Sequence, residues 1–321
     1  MTFSWLDNPQ WQALSQTEHP RQAEFPFFTY QSPHDPYLTC SYYFETDCGV
    51  ILIDTQMFRS SVEGLWEQIQ QNTSGHLFAI VNTHAHPDHI NGNGFFRRES
   101  PGAIIVTSLA VAEDMVLNTP PRIPLTRGYW GDEVPASMDD YPLPDLTFTG
   151  SMTLSLGNVT LELVEYGAAE APTQVMVWMP EWRALVTADV LQNRQHHYVA
   201  DRTAANWTAI LEQLDSYGAQ HYLTGHQGVG DADLLPETKR WMATYMGLIS
   251  AELPPGTDPR SVELLTDDAR RRVIEGIKDQ FPDWYDACMF DENESVLEFC
   301  LSGRQSEAVG REILAAKAGA A

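Results

Sequence analysis

The segment Asn82-Thr-His-Ala-His-Pro-Asp-His-Ile-Asn-Gly-Asn-Gly94 constrains this chain more than any other. Four side chains able to bind a divalent cation, His84, His86, Asp88 and His89, fall within six residues. The apolar run HLFAIV precedes them and reads as a buried strand. Imidazole nitrogens and carboxylate oxygens are the usual ligands for zinc and similar ions. Alternate residues of an extended segment point the same way, so His84 and His86 can grip one ion. Asp88 and His89, one turn further on, can face a second. Asn91, Gly92 and Gly94 then allow close backbone approach as a helix begins.

Short runs rich in β-branched and aromatic residues recur along the chain and are bounded by Gly, Asn or Pro. YLTCSYYFETDCGVILIDTQ predicts two strands around a turn at Asp47–Gly49. AIIVTS, LTFTG, MTLSLG, VTLELVEYG, TQVMVWMP, RALVTADV and HYLTGH predict further strands. SSVEGLWEQIQQN, SLAVAEDMVLN, NWTAILEQLDSYG and LPETKRWMATYMGLISAEL carry helical spacing. Residues 119–145 hold prolines at 120, 121, 124, 135 and 142, with Tyr129 and Trp130 among them. They predict a long loop, of the kind that can serve as a lid or binding wall. The order of elements suits an α/β fold with two sheets packed between helices. Residues 1–250 read as a catalytic domain and 251–321 as a helical C-terminal extension.

Nineteen Lys and Arg against 44 Asp and Glu leave a formal charge of −25. Nucleic acid and anionic membrane surfaces require a basic footprint, so neither is expected as a partner. A small-molecule substrate is expected instead, and an anionic one must be held by local cations. The first twenty residues show no signal-like pattern, and no apolar run approaches the ~20 residues of a membrane span. The expected compartment is cytoplasmic. Four cysteines are too few for a disulfide framework and read as reduced thiols. The helical tail could supply a homodimer interface.

His84-Ala-His-Pro-Asp-His89 resembles the signature loop of the metallo-β-lactamase superfamily. GVILIDTQ, the strands from Asp145 to Gly167 and VMVWMPEWRALVTADVL resemble that family's flanking strands. The resemblance implies an αββα metallo-β-lactamase-type sandwich with a two-metal site at one edge of the sheets. It implies Asp189 as the acid bridging both ions and His226 as a late ligand of the second. Asp54 would orient a ligating histidine from behind. One position departs from the common pattern. Where the family has Gly-x-x-His-Thr, this chain has Gly167-Ala-Ala-Glu170-Ala-Pro172. The Glu-Ala-Pro step resembles the alkylsulfatases, in which a glutamate takes that place. The implied ligands are His84, His86 and Glu170 on one ion, Asp88, His89 and His226 on the other, and Asp189 between them.

Alkylsulfatases also carry a His-Asn pair and a downstream arginine that holds the sulfate. His196 and Arg202 stand at corresponding offsets here, with His197 in place of asparagine. Those enzymes are longer, with a leader, a dimerisation insert and a C-terminal carrier-like domain that this chain does not recognisably carry. The implied cofactors are two divalent metal ions, zinc first, with manganese or iron as alternatives. The implied activity is hydrolysis of a sulfate ester or related small ester by a metal-bridging hydroxide. Asp88 and Asp189 would position that hydroxide, His196 would give a proton, and Arg202, Tyr129 and Trp130 would touch the substrate. Lactonase, β-lactamase or thioesterase activity is the alternative on the same scaffold. A mononuclear iron enzyme of the sulfur dioxygenase kind is a third reading, disfavoured by the complete second set of ligands. A vestigial binding protein is disfavoured because no ligand position is blank.

Overall fold

The computed structural model describes residues 25–33, 35, 37–199, 204–259 and 264–286. Two six-stranded sheets lie face to face between helices, as the sequence predicts. The first sheet runs β1 (Phe28–Gln31), β2 (Cys40–Thr46), β3 (Gly49–Ile53), β4 (Leu77–Val81), β5 (Ile104–Ser108) and β6 (Leu146–Phe148) in that spatial order. The second runs β12 (Val229–Gly230), β11 (His221–Thr224), β10 (Ala184–Ala188), β9 (Gln174–Met179), β8 (Thr160–Tyr166) and β7 (Ser151–Ser155).

Strand alternation sorts the side chains into layers. Ile51 and Ile53 point between the sheets, where they meet Val81, Leu163, Val177 and Val186. Val50 and Leu52 point outward and pack beneath Val62, Leu65 and Ile69 of α1 (Arg59–Asn72). Helices α2 (Pro87–Ile90) and α3 (Asn93–Glu99) follow the histidine-rich loop. The outer face of the second sheet lies under α5 (Ala204–Leu214), α6 (Leu234–Glu252) and α7 (Asp267–Gln280). Trp207, Trp241, Ile277 and Trp284 share that core, so residues 265–285 pack into the body. Tyr285 N–H donates to Arg194 O at 2.8 Å, and His196 N–H donates to Tyr285 O at 2.9 Å.

The expectation of a loop from Thr119 is corrected at its first half. Helix α4 runs Leu109–Trp130 straight through Pro120, Pro121 and Pro124. Interior prolines cost about 3 kcal/mol each in an isolated helix. Here Val111, Met115 and Ile123 are buried in the inter-sheet core and hold the segment helical. The carbonyls that Pro120 and Pro121 leave unbonded belong to Val116 and Leu117, both exposed, where water can solvate them. Ser108 caps the start by accepting from Val111 N–H, and Gly131 ends the helix at φ +58°.

Cys40 is buried and Cys48 exposed, and the two are not bonded to each other. Cys288 and Cys300 lie outside the described residues. No helix among the described residues is long and apolar enough to cross a membrane.

Candidate metal centre

Strands β3, β4 and β5 are mutually parallel, as are β10 and β11. Their C-terminal ends open on one edge of the sandwich, and the polar side chains cluster there. Asp54 follows β3, the His84–His89 loop follows β4, Asp189 follows β10, and His226 follows β11. Glu170 comes from the β8–β9 connection. Backbone bonds tie the two sheets together at this edge. Val175 N–H donates to Thr83 O at 2.7 Å, and Cys40 N–H donates to Gly225 O at 2.7 Å.

The seven side chains named from the sequence form two groups. His84, His86, Glu170 and Asp189 make one; Asp88, His89, Asp189 and His226 make the other. Within each group one ligand atom per residue lies within 4.8 Å of all the rest. Asp189 belongs to both. His86 Nδ1 is 3.1 Å from Glu170 Oε1, and His84 Nε2 is 3.6 Å from Glu170 Oε2. His89 Nε2 is 3.3 Å from both Asp88 Oδ2 and Asp189 Oδ1. His226 Nε2 is 2.9 Å from Asp189 Oδ2. Ligands placed tetrahedrally around zinc are about 3.4 Å apart, so these spacings fit.

Hydrogen bonds behind the histidines fix which nitrogen faces inward. Thr83 Oγ1 donates its one proton to Asp54 Oδ2 at 2.7 Å. It can therefore only accept from His84 Nδ1, 3.0 Å away, which leaves a lone pair on Nε2. His89 Nδ1 donates to Asp54 Oδ2 at 2.8 Å. His226 Nδ1 donates to the Tyr37 carbonyl at 2.8 Å. In their neutral forms His84 and His89 thus turn Nε2 on the carboxylates as an acceptor, while His226 Nε2 lies within hydrogen-bond distance of Asp189 Oδ2, at 2.9 Å. His84 Nε2, His89 Nε2 and Asp189 Oδ1 are buried and form no hydrogen bond among the described residues. Acceptors turned on acceptors in a buried space are repulsive unless a cation lies between them.

The electrostatics carry the same sign. Burial opposes charge on His226, but the Asp189 and Asp88 carboxylates outweigh it and push the imidazole up to about 9. Burial is likewise outweighed at His89, where Asp88, Asp189 and Asp54 hold the ring well above its ordinary value. Burial would raise Asp189, yet His226 and His89 keep it well below the usual carboxylate range. The carboxylates demand positive charge here, and divalent cations would supply it. Residues and group therefore fit.

Several supporting residues carry no sequence signal of their own. Buried Asp35 accepts from Tyr37 N–H at 2.8 Å and Thr39 N–H at 3.2 Å, shaping the turn that presents the Tyr37 carbonyl. Thr39 Oγ1 donates to Asp88 Oδ2 at 3.3 Å. Gln174, with its amide oxygen turned inward, accepts from the N–H of Glu170 and of Ala171 at 2.9 Å each. Gly225 leaves room for the Asp189 carboxylate. Only a tertiary fold brings these partners together, so spacing along the chain could not reveal them.

The proposed substrate contacts are placed less uniformly. Arg202 lies outside the described residues, and of Tyr129 only the backbone, in α4, is described. Trp130 packs edge-on against Phe58, ring centroids 5.0 Å apart. His196 is buried, and its Nδ1 accepts from Trp241 Nε1 at 3.2 Å. Burial and nearby Lys278 lower its pKa to about 3, so the ring is neutral. Its neighbour His197, not His196, is the one that feels Asp189 and His226. Tyr198 stands perpendicular to His86 at 5.8 Å.

Known proteins share this architecture. A metallo-beta-lactamase type 2 from Bacteroides fragilis is 22% identical over 200 residues, 61% of this chain and 71% of that one. A linear primary-alkylsulfatase from Pseudomonas sp. is 23% identical over 223 residues, 60% of this chain but 42% of the larger protein. Among solved structures, a metallo-beta-lactamase family protein from Thermus thermophilus superposes with a TM-score of 0.56 at 17% identity, covering 78% of this chain and 93% of that one. A sec-alkylsulfatase from Pseudomonas sp. gives 0.53 at 18% identity, covering 84% and 51%. The family model described as the metallo-beta-lactamase superfamily matches residues 34–226. That match spans more than half of the sequence and contains the whole cluster, and the chain belongs to the metallo-beta-lactamase superfamily.

Proposed function

We propose that this chain is a two-metal hydrolase acting on a sulfate ester or a related small ester. The observation that carries the reading is the position of Asp189, shared by two ligand groups of which Glu170 completes the first. His84 Nε2, His86 Nδ1 and Glu170 would hold one ion; Asp88, His89 Nε2 and His226 Nε2 would hold the other. Zinc suits this set of imidazoles and carboxylates, with manganese or iron as alternatives. Bound divalent ions supply Lewis acidity, polarising the ester and lowering the pKa of water from ~15.7 toward ~7. Asp189, common to both groups, would serve either position. Asp88, steadied by Thr39 Oγ1, orients the attacking water and accepts its hydrogen bond. Asp54 and the Tyr37 carbonyl keep protons on the outer nitrogens of His89 and His226. His196 receives no proton-transfer role in this reading, because a neutral imidazole tied to Trp241 is a weak acid.

Glu170 and the alkylsulfatase relative support the sulfate ester. The metallo-beta-lactamase type 2 relatives favour a second reading, a β-lactam, lactone or thioester on the same scaffold. Elemental analysis with a panel of alkyl sulfate, lactone, β-lactam and thioester separates them. The proposal expects about two metal equivalents, sulfate release, and loss of about one equivalent in Glu170→Ala. Turnover of the other substrates without sulfate release would transfer the site to the second reading. A single iron, or no metal uptake, would overturn the two-metal hydrolase.

A further inference from the structure

Arginine is scarce here, and most of the guanidinium groups among the described residues already lie near a carboxylate. Arg97, Arg127, Arg194 and Arg272 each lie against a carboxylate. Arg122, half-buried on α4, faces no carboxylate among the described residues. Its Nη1 donates to the carbonyl of Ala85 at 3.2 Å. Ala85 stands between His84 and His86, two members of the first ligand group. The guanidinium is therefore held within one residue of that group on both sides. It also lies close enough to Tyr141 to act electrostatically on its hydroxyl. Tyr141 in turn donates to Asn91 Oδ1 at 2.6 Å, in the same histidine-rich loop.

A half-buried cation with no counter-ion is costly in itself. In a chain with 44 acids and 19 bases, a carboxylate partner would be the easiest thing to provide. A guanidinium has five N–H donors in a planar fork, and the Ala85 carbonyl takes one. The others match two oxygens of a tetrahedral or planar oxyanion. We infer that Arg122 is a specificity-determining residue that pairs with an anionic group of the substrate beside the first ligand group. The substrate class is then an organic anion, such as a sulfate ester or a carboxylate derivative. This rests on the hydrolase reading of the same site, and it is independent of Arg202.

The test is equilibrium binding to the metal-loaded full chain, which does not depend on turnover. Octane-1-sulfonate, octanoate and neutral octan-1-ol are titrated into wild type, Arg122→Gln and Arg122→Lys. Lysine is long enough to keep an N–H donor for the Ala85 carbonyl, whereas glutamine is shorter and removes the charge. The inference expects both anions, or one of them, to bind about 10-fold or more weakly to Arg122→Gln, with octan-1-ol unchanged. Lysine restores part of the loss, as a point charge without the fork. Which anion is affected identifies sulfate or carboxylate as the recognised group. Equal weakening of all three ligands would make Arg122 a structural pin on Ala85, and unchanged anion binding would overturn the inference outright. Neither result depends on hydrolysis. A failure of the hydrolase reading would show instead as absent metal or absent turnover in wild type.

Discussion

His89 Nδ1 lies 2.8 Å from Asp54 Oδ2, and that same carboxylate oxygen receives the Thr83 hydroxyl at 2.7 Å. One buried acid thus sets the tautomer of two histidines, His89 directly and His84 through Thr83. Asp54 itself sits at φ +58°, a left-handed conformation uncommon outside glycine but open to aspartate. Its other oxygen accepts the Thr83 N–H at 2.9 Å. Asp54→Asn leaves one acceptor oxygen where three donors converge, so its N–H₂ must face at least one of them and the Thr83–His89 arrangement is disturbed. Metal affinity should fall about 10- to 100-fold, measured by titrating the metal-free protein against a competing chelator. Wild-type affinity in the variant would show that the outer contact does nothing for the site.

Much of this was readable in advance, for a physical reason. A continuous apolar run such as GVILI reports a strand buried on both faces, and the ligand types stand at strand ends. Glu170, Asp189 and His226 each carry a local sequence context, and the fold brings them beside the His84–His89 loop. The prolines of α4 misled because local propensity is set against burial of Val111, Met115 and Ile123, which sequence spacing does not weigh. Tyr37, Thr83 and Arg122 act through a carbonyl, a hydroxyl and a guanidinium whose partners are distant in the chain or ambiguous in kind. Such contacts leave no pattern in a single sequence.

Gly225 makes a sharper prediction than any ligand. A Cβ built there would stand 1.7 Å from Asp189 Oδ1 and 3.1 Å from His89 Cε1. The glycine preceding His226 is therefore space reserved for the shared carboxylate. Gly225→Ala forces Asp189 out of place while leaving every proposed ligand chemically intact. A displacement of this kind costs about 100-fold in kcat/KM, with reduced metal occupancy and an unchanged far-ultraviolet spectrum. Full occupancy and full activity in the alanine variant would mean that Asp189 has freedom the packing denies it.

His197 predicts how the protein fails in acid. It is fully buried among Trp207, Trp241 and Trp284, with ring centroids 5.3, 4.8 and 5.9 Å away. Neither ring nitrogen has a hydrogen-bond partner among the described residues. Burial, and then the adjacent His196, lower its pKa from 6.5 to about 3. Between those values the unfolded chain binds the proton and the folded chain does not. Stability is therefore complete above pH 6.5 and drains away as the pH falls toward 3. Each pH unit inside that window removes about 1.4 kcal/mol for one such group. In His197→Leu the apolar cage keeps a side chain of its own kind and the titrating group is gone. Urea unfolding at pH 7 and pH 5 should show wild type losing about 2 kcal/mol more than the variant. Every other titrating group is retained in the variant, so the difference reports His197 and its coupling to His196, Asp189 and His226. Parallel losses in the two proteins would mean that the cage admits water and charge, and that the buried imidazole is not what limits the fold in acid.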